Sequence, residues 1–239
     1  MADWMMLDGR NSRDMGLYVL EYPPLCVPRR RGANLSVRGG ADMWLYDGPW
    51  AYEDMLLDVK CYARAGADWE AIAAYLTPDA REIIFGDQPQ YALTGKCDEA
   101  LELKRVLRER QARAFTLPLR CAPFKRLASP GLAVTLTAAG SIEHPGTARS
   151  YPLIEVTGTG DVDIITHATQ HFTISGLESG APILIDSGAM ICTNGAGTAD
   201  WSARTAGDYP YLDPGANTIS FTGNVTQIKI TPRFQWLGR

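Results

Sequence analysis

Between Leu132 and Cys192 the chain is built from Thr, Ile, Val, Ser and Gly, and Arg149 is its one Lys or Arg. β-Branched residues favour extended backbone, and glycines punctuate it. Candidate strands fall at residues 133–137, 153–157, 162–166, 172–175, 182–186, 190–193, 217–222 and 227–232. Between them stand Gly140, Gly158 and Gly160, Gly176 and Gly180, Gly195 and Gly197, Pro214 with Gly215, and Gly223 with Asn224. About eight short strands at roughly ten-residue spacing predict an antiparallel β-sandwich or jelly roll over residues 131–239.

The segment APFKRLASPG, residues 122–131, marks a change of character and predicts a domain boundary near residue 130. Residues 1–130 are therefore expected to form a separate β-rich domain. There, residues 53–62 (EDMLLDVKCY) alternate Met55, Leu57, Val59 and Cys61 against Asp54, Asp58 and Lys60, the pattern of a half-buried strand. Trp69, Ile72, Ala73 and Leu76 recur at helical spacing after Asp68 and before Pro78, which predicts a helix over about 68–77 with Asp68 as its N-cap. Strands are expected at 83–85 and 90–96 around the GDQP turn, and at 115–121, where Phe115, Leu117, Leu119 and Cys121 share a face. Residues 99–113 fit either a charged helix using Ala100, Leu103 and Leu107 or a strand LELKRVL followed by a turn, and periodicity alone favours the helix slightly.

Of 239 residues, 46% are apolar and 21% charged, the balance of a chain that buries a core without metal or disulfide support. A formal charge of −4 gives no electrostatic footprint for duplex nucleic acid. No run is long enough to span a bilayer, and MADWMMLDGR lacks a continuous secretory h-region, which predicts an unexported chain without membrane insertion. In that context Asn34-Leu-Ser36 and Asn224-Val-Thr226 match the glycosylation pattern by chance. Cys26, Cys61, Cys97, Cys121 and Cys192 are odd in number and lack zinc-ligand spacing, so they are expected as free, mostly buried thiols.

The residues propose no chemistry. His167 and His171, on a common strand, would stand about 13 Å apart and could not share a metal ion. Asp186-Ser187-Gly188 is expected as a turn, because no nucleophile elbow precedes it. The Gly158-to-Asp163 stretch, GTGDVD, is expected as a turn between strands, since no helix follows to hold a phosphate. Arg29, Arg30 and Arg31 after Pro28 suit a solvated loop or a subunit contact. No catalytic, cofactor or metal site is expected, and the chain reads as a structural or binding protein rather than an enzyme.

The order of short motifs resembles the distal tail protein family of long-tailed phages and prophages. LDGRNSRDMGLYV and the basic loop come first; Val37-Arg38-Gly39-Gly40 stands where members carry an Arg-Gly turn. Tyr75-Leu76 closes the helix, and Leu119-Arg120-Cys121-Ala122-Pro123-Phe124 matches the end of the family's first domain. YPLIEVTGTGDV, PILIDSG and YPYLDPGANTISFTGNVTQIKITPRFQWL resemble the opening, a middle strand and the close of the second. The same resemblance favours a strand over Leu101 to Leu107.

The resemblance implies a mainly β fold: an α+β N-terminal domain with one main helix, then an all-β sandwich of galectin or carbohydrate-binding-module type. It also implies a virion structural protein, made in the host bacterial cytoplasm and placed at the tail tip as a baseplate hub. Its first domains would form a hexameric ring, a homo-oligomer linking the tail tube protein to tail-tip and receptor-binding proteins, with DNA only in transit through the channel. The alternative is a carbohydrate-binding module contacting host glycan, for which Tyr209, Tyr211, Phe221, Phe234, Trp201 and Trp236 would be the aromatic platform.

Overall fold

The computed structural model describes the chain apart from residues 1, 2, 37, 78–80, 98, 100, 102–103, 107–108 and 130. It divides into two compact units, one of Met1–Ser129 with Leu237–Arg239, the other of Pro130–Trp236. Residues 237–239, expected in the second domain, thus belong to the first. Backbone hydrogen bonds hold them there: Gly238 N–H donates to Pro123 O and Arg239 N–H to Cys26 O.

The strands of the first unit are β1 (Met5–Leu7), β2 (Arg10–Asn11), β3 (Leu17–Glu21), β4 (Gly32–Leu35), β5 (Met43–Tyr46), β6 (Met55–Ala63), β7 (Arg81–Phe85), β8 (Tyr91–Lys96), β9 (Lys104–Val106), β10 (Glu109–Cys121) and β11 (Phe124–Leu127). The main sheet runs β2-β1-β7-β8-β10-β6-β3, with every described pairing antiparallel. β6 and β10 form its spine, pairing from Arg113–Ala63 to Cys121–Met55. Their alternation is as expected: Met55, Leu57, Val59 and Cys61 are buried with Phe115, Leu117, Leu119 and Cys121, while Asp58 and Thr116 face solvent. The ambiguous stretch after residue 99 holds strand β9 and the start of β10 rather than the helix its periodicity favours, because these residues pair with each other; residues 102–103 and 107 of the expected strand lie outside the described residues.

Helix α1 (Trp69–Leu76) begins where Asp68 accepts hydrogen bonds from Glu70 N–H and Ala71 N–H at 3.0 and 3.1 Å. It buries Ile72, Tyr75 and Leu76 in the sheet's core. The Tyr75 hydroxyl donates toward the carbonyls of Met5 (3.3 Å) and Arg10 (3.1 Å), tying the helix to β1 and β2, and burial raises its pKa.

The second unit holds β12 (Val134–Leu136), β13 (Gly140–His144), β14 (Leu153–Thr166), β15 (Gln170–Leu177), β16 (Ile183–Asp186), β17 (Ile191–Asn194), β18 (Thr205–Gly207) and β19 (Gly215–Thr231), after which β20 (Gln235–Leu237) carries the chain across the boundary. The four strands expected at 153–157, 162–166, 217–222 and 227–232 are two long ones. β14 and β19 pair throughout, with register shifts at Thr157/Gly158 and Thr159/Val162. GTGDVD is therefore a bulged bend inside a strand, not a turn between strands. Gly160 and Gly223, at φ 75° and 97°, absorb it without breaking the ladder.

The bend lets one strand serve two layers. The first half of β14 pairs with β16, the second with β15, and residues from both halves, Ile154 and Val156 with Val162 and Ile164, share one core cluster. Among the described residues no helix is long and apolar enough to cross a membrane.

Candidate subunit-contact surface

Strands β4 and β5 pair only with each other, as a two-stranded ribbon outside the main sheet. Every described residue from 33 to 47 is solvent-exposed. At its base the ladder continues, with Arg31 N–H donating to Ala51 O (2.9 Å) and Glu53 N–H to Arg29 O (2.8 Å). An isolated two-stranded hairpin is marginal in water unless something packs against it.

The register gives this arm two unlike faces. Gly32–Tyr46 and Asn34–Trp44 are opposite pairs on one face; Ala33–Leu45 and Leu35–Met43 lie on the other. The first face is aromatic and cationic. The Arg30 guanidinium lies 4.3 Å from the Tyr46 ring centre and that of Arg29 5.9 Å from Trp44, around a 280 Å³ hollow. Arg30 also donates to Gly48 O (3.1 Å), and Arg31 meets Asp47 at 2.6 Å. The second face is aliphatic, with Leu35, Met43 and Leu45 each about half exposed, at 49%, 52% and 49%. Covering what remains of each is worth about 1 kcal/mol.

Sequence reading found only the Arg29-to-Arg31 edge of this surface. Of the Arg-Gly turn at the arm's tip, Val37 lies outside the described residues, and Gly39 sits at φ 78°. The four consecutive large apolar residues Met43 to Tyr46 lie outside the core, each about half exposed.

The other residues singled out are structural. His167 lies in the β14–β15 turn at φ 53°, not on a strand, its ring stacked 4.8 Å from Tyr211. His171 pairs with Asp163 at 2.7 Å. Asp186 forms the expected turn, accepting from Gly188 and Ala189 N–H and from Arg233 at 2.8 and 3.1 Å. Burial would raise its pKa, but Arg233 and the turn N–H groups outweigh that and hold it low. Trp201, Tyr209, Phe221 and Phe234 pack on the second core, Tyr211 lies against Arg149 at 3.5 Å, and Trp236 is half-buried. Among the described residues no cluster of three His, Cys, Asp or Glu could hold a metal ion.

No family model matches the chain, and no curated protein matches it. A solved structure does: the Dit protein of phage SPP1, described as a paradigm of the hub adsorption apparatus in phages that infect Gram-positive bacteria. The match covers 99% of this chain and 100% of that one, at a TM-score of 0.76 and 16% sequence identity. Along essentially its whole length, the chain has the fold of SPP1 Dit.

Proposed function

We propose that this protein is a distal tail protein, a structural hub at the tail tip of a long-tailed phage or prophage. The observation that carries the reading is the likeness to SPP1 Dit, complete in both directions, so that no domain of either chain is left over. Under this reading six copies close a ring through their first units. The ring joins the tail tube to tip and receptor-binding proteins, and DNA passes through it on ejection.

Two features of the first unit support assembly from copies of one chain. The arm offers apolar surface on a ribbon that buries nothing of its own, and β3 ends the main sheet as an edge strand. Different surfaces meeting head to tail generate a ring when the rotation closes.

Native mass spectrometry and light scattering at several concentrations and two salt levels test the reading. A species at six times 26.1 kDa, with a central hole in negative-stain images, is expected. A chain that stays monomeric even with a tube protein present overturns it.

A further inference from the structure

We propose that the first unit holds one small monovalent anion, a halide such as chloride, in the cavity between Lys125 and Arg239. The site lies wholly within one unit of one chain, so it does not depend on the ring.

The cavity lies where β7, the β7–β8 turn, β8 and β11 meet Arg239, and its volume of about 10 Å³ gives room for one particle near the size of a water molecule. Phe85, Tyr91 and two aliphatic side chains of β7 and β8 form its apolar wall; the rest of the lining is Gln88, Lys125 and Arg239. Both charged residues of the lining are therefore cations.

One donor there lacks a partner. Arg239 is 7% exposed, its Nη2 is spent on Asp87 and its Nη1 on Pro23 O, and its buried Nε–H has no hydrogen-bond acceptor. A buried charged donor is costly to leave unpaired. The guanidinium carbon lies 4.8 Å from the centre of the Phe85 ring, which also lines the cavity. Lys125 supplies a second donor: its Nζ donates to Gln88 Oε1 at 3.1 Å and lies 4.4 Å from the Tyr91 ring centre, and an ammonium carries further N–H groups beyond that one bond. Because an ammonium can only donate, Gln88 presents Oε1 to it and keeps its amide N–H groups as donors.

The charges do not balance. Arg239 and Lys125 bring two positive charges, and Asp87, with both oxygens on Arg239, brings one negative. Burial lowers the pKa of Lys125 most, and repulsion by Arg239 lowers it further, ahead of the attraction of Asp87 that raises it. The local field at Lys125 is thus net positive, and one monovalent anion neutralises it. Sulfate or phosphate is too large for the space, and a neutral water would satisfy Arg239 Nε–H without relieving the repulsion.

The test unfolds the full chain in urea at constant ionic strength while sodium chloride replaces sodium gluconate, and follows the chlorine NMR linewidth over the native protein. The midpoint of the first unit is expected to rise with chloride and to saturate, by roughly 0.5 M urea at ten times the dissociation constant, with bromide acting alike and the chloride line broadened. Lys125→Met, which removes one cation, and Gln88→Glu, which puts a carboxylate at the cavity, are each expected to abolish both effects, and Gln88→Glu to be no less stable in gluconate than wild type. A wild-type midpoint equal in chloride and gluconate, with no broadening, means that water or nothing fills the cavity and overturns the proposal. A chloride dependence that persists in both variants is a general salt effect and overturns it as well.

Discussion

The Nη2 atom of Arg239 donates to both carboxylate oxygens of Asp87, at 2.8 and 2.7 Å, across 152 residues of chain. The guanidinium is almost fully buried, lies 4.8 Å from the Phe85 ring centre and also donates to Pro23 O. Removing the acid strands a buried cation, which costs more than the intact pair contributes. Asp87→Asn is expected to lower the stability of the first unit by about 2 kcal/mol, moderated by the exposure of Asp87, while adding Arg239→Met recovers part of the loss. Urea unfolding measures both; a double variant no better than the single would show that the stranded charge is not the cause.

Thiol reactivity should be strongly unequal. Burial pushes Cys61 and Cys121 up to about 12 and Cys192 to about 11, and Cys97 is buried. Cys26 is only partly covered. Since the thiolate is the reactive form, a chromogenic disulfide reagent at pH 8 is expected to titrate one thiol rapidly in the native protein and all five after unfolding. Loss of the fast phase in Cys26→Ser checks the assignment.

Two glycines of the bent β14–β19 pair differ in what an added methyl would meet. At Gly160, φ 75°, nothing lies within 4 Å; at Gly223, φ 97°, a Cβ would run into the Asp161 carbonyl oxygen and crowd Val162. Gly160→Ala is expected to cost about 1 kcal/mol, from backbone conformation alone. Gly223→Ala is expected to cost about 3 kcal/mol, because backbone must move as well. Equal unfolding midpoints for the two variants would contradict this account of the bend.

Among the buried polar groups, His144 sets a pH dependence. It is 2% exposed, its Nδ1 accepts from Gly146 N–H at 2.8 Å, and its ring lies 4.7 Å from that of Phe234. Burial lowers its pKa, so the folded chain keeps it neutral where the unfolded chain takes up a proton. Stability of the second unit is therefore expected to fall as pH drops below about 6.5, the ordinary histidine value, and to be pH-independent for this group above it. His144→Gln should flatten urea midpoints between pH 5 and 7; an unchanged slope would assign it elsewhere.

Where one period dominates, the fold was legible. Strands β6 and β10 alternate without interruption, and α1 has its cap, its spacing and its stop. The long strands β14 and β19 were not, because Gly158, Gly160, Gly223 and Asn224 carry the local signature of turns; only pairing across the sheet shows that the ladder passes through them. Short strands such as β1, β13 and β18 bury too few residues to leave a pattern. The arm was hidden for a different reason. Met-Trp-Leu-Tyr has the composition of a core strand, and nothing in the order of those residues says that the ribbon pairs outside the main sheet. Its neighbours Arg29 and Arg30, stacked on Tyr46 and near Trp44, were visible only as a basic loop.

The closure of the first unit by residues 237–239 fixes an order of events during synthesis. The ribosome delivers the whole of the second unit before Arg239 can reach Asp87 and before Gly238 can bond Pro123. The second unit can therefore mature while the first is still waiting for its final stitches. A nascent or prematurely terminated chain would present a first unit that still lacks the Gly238 and Arg239 contacts, whatever the state of the second.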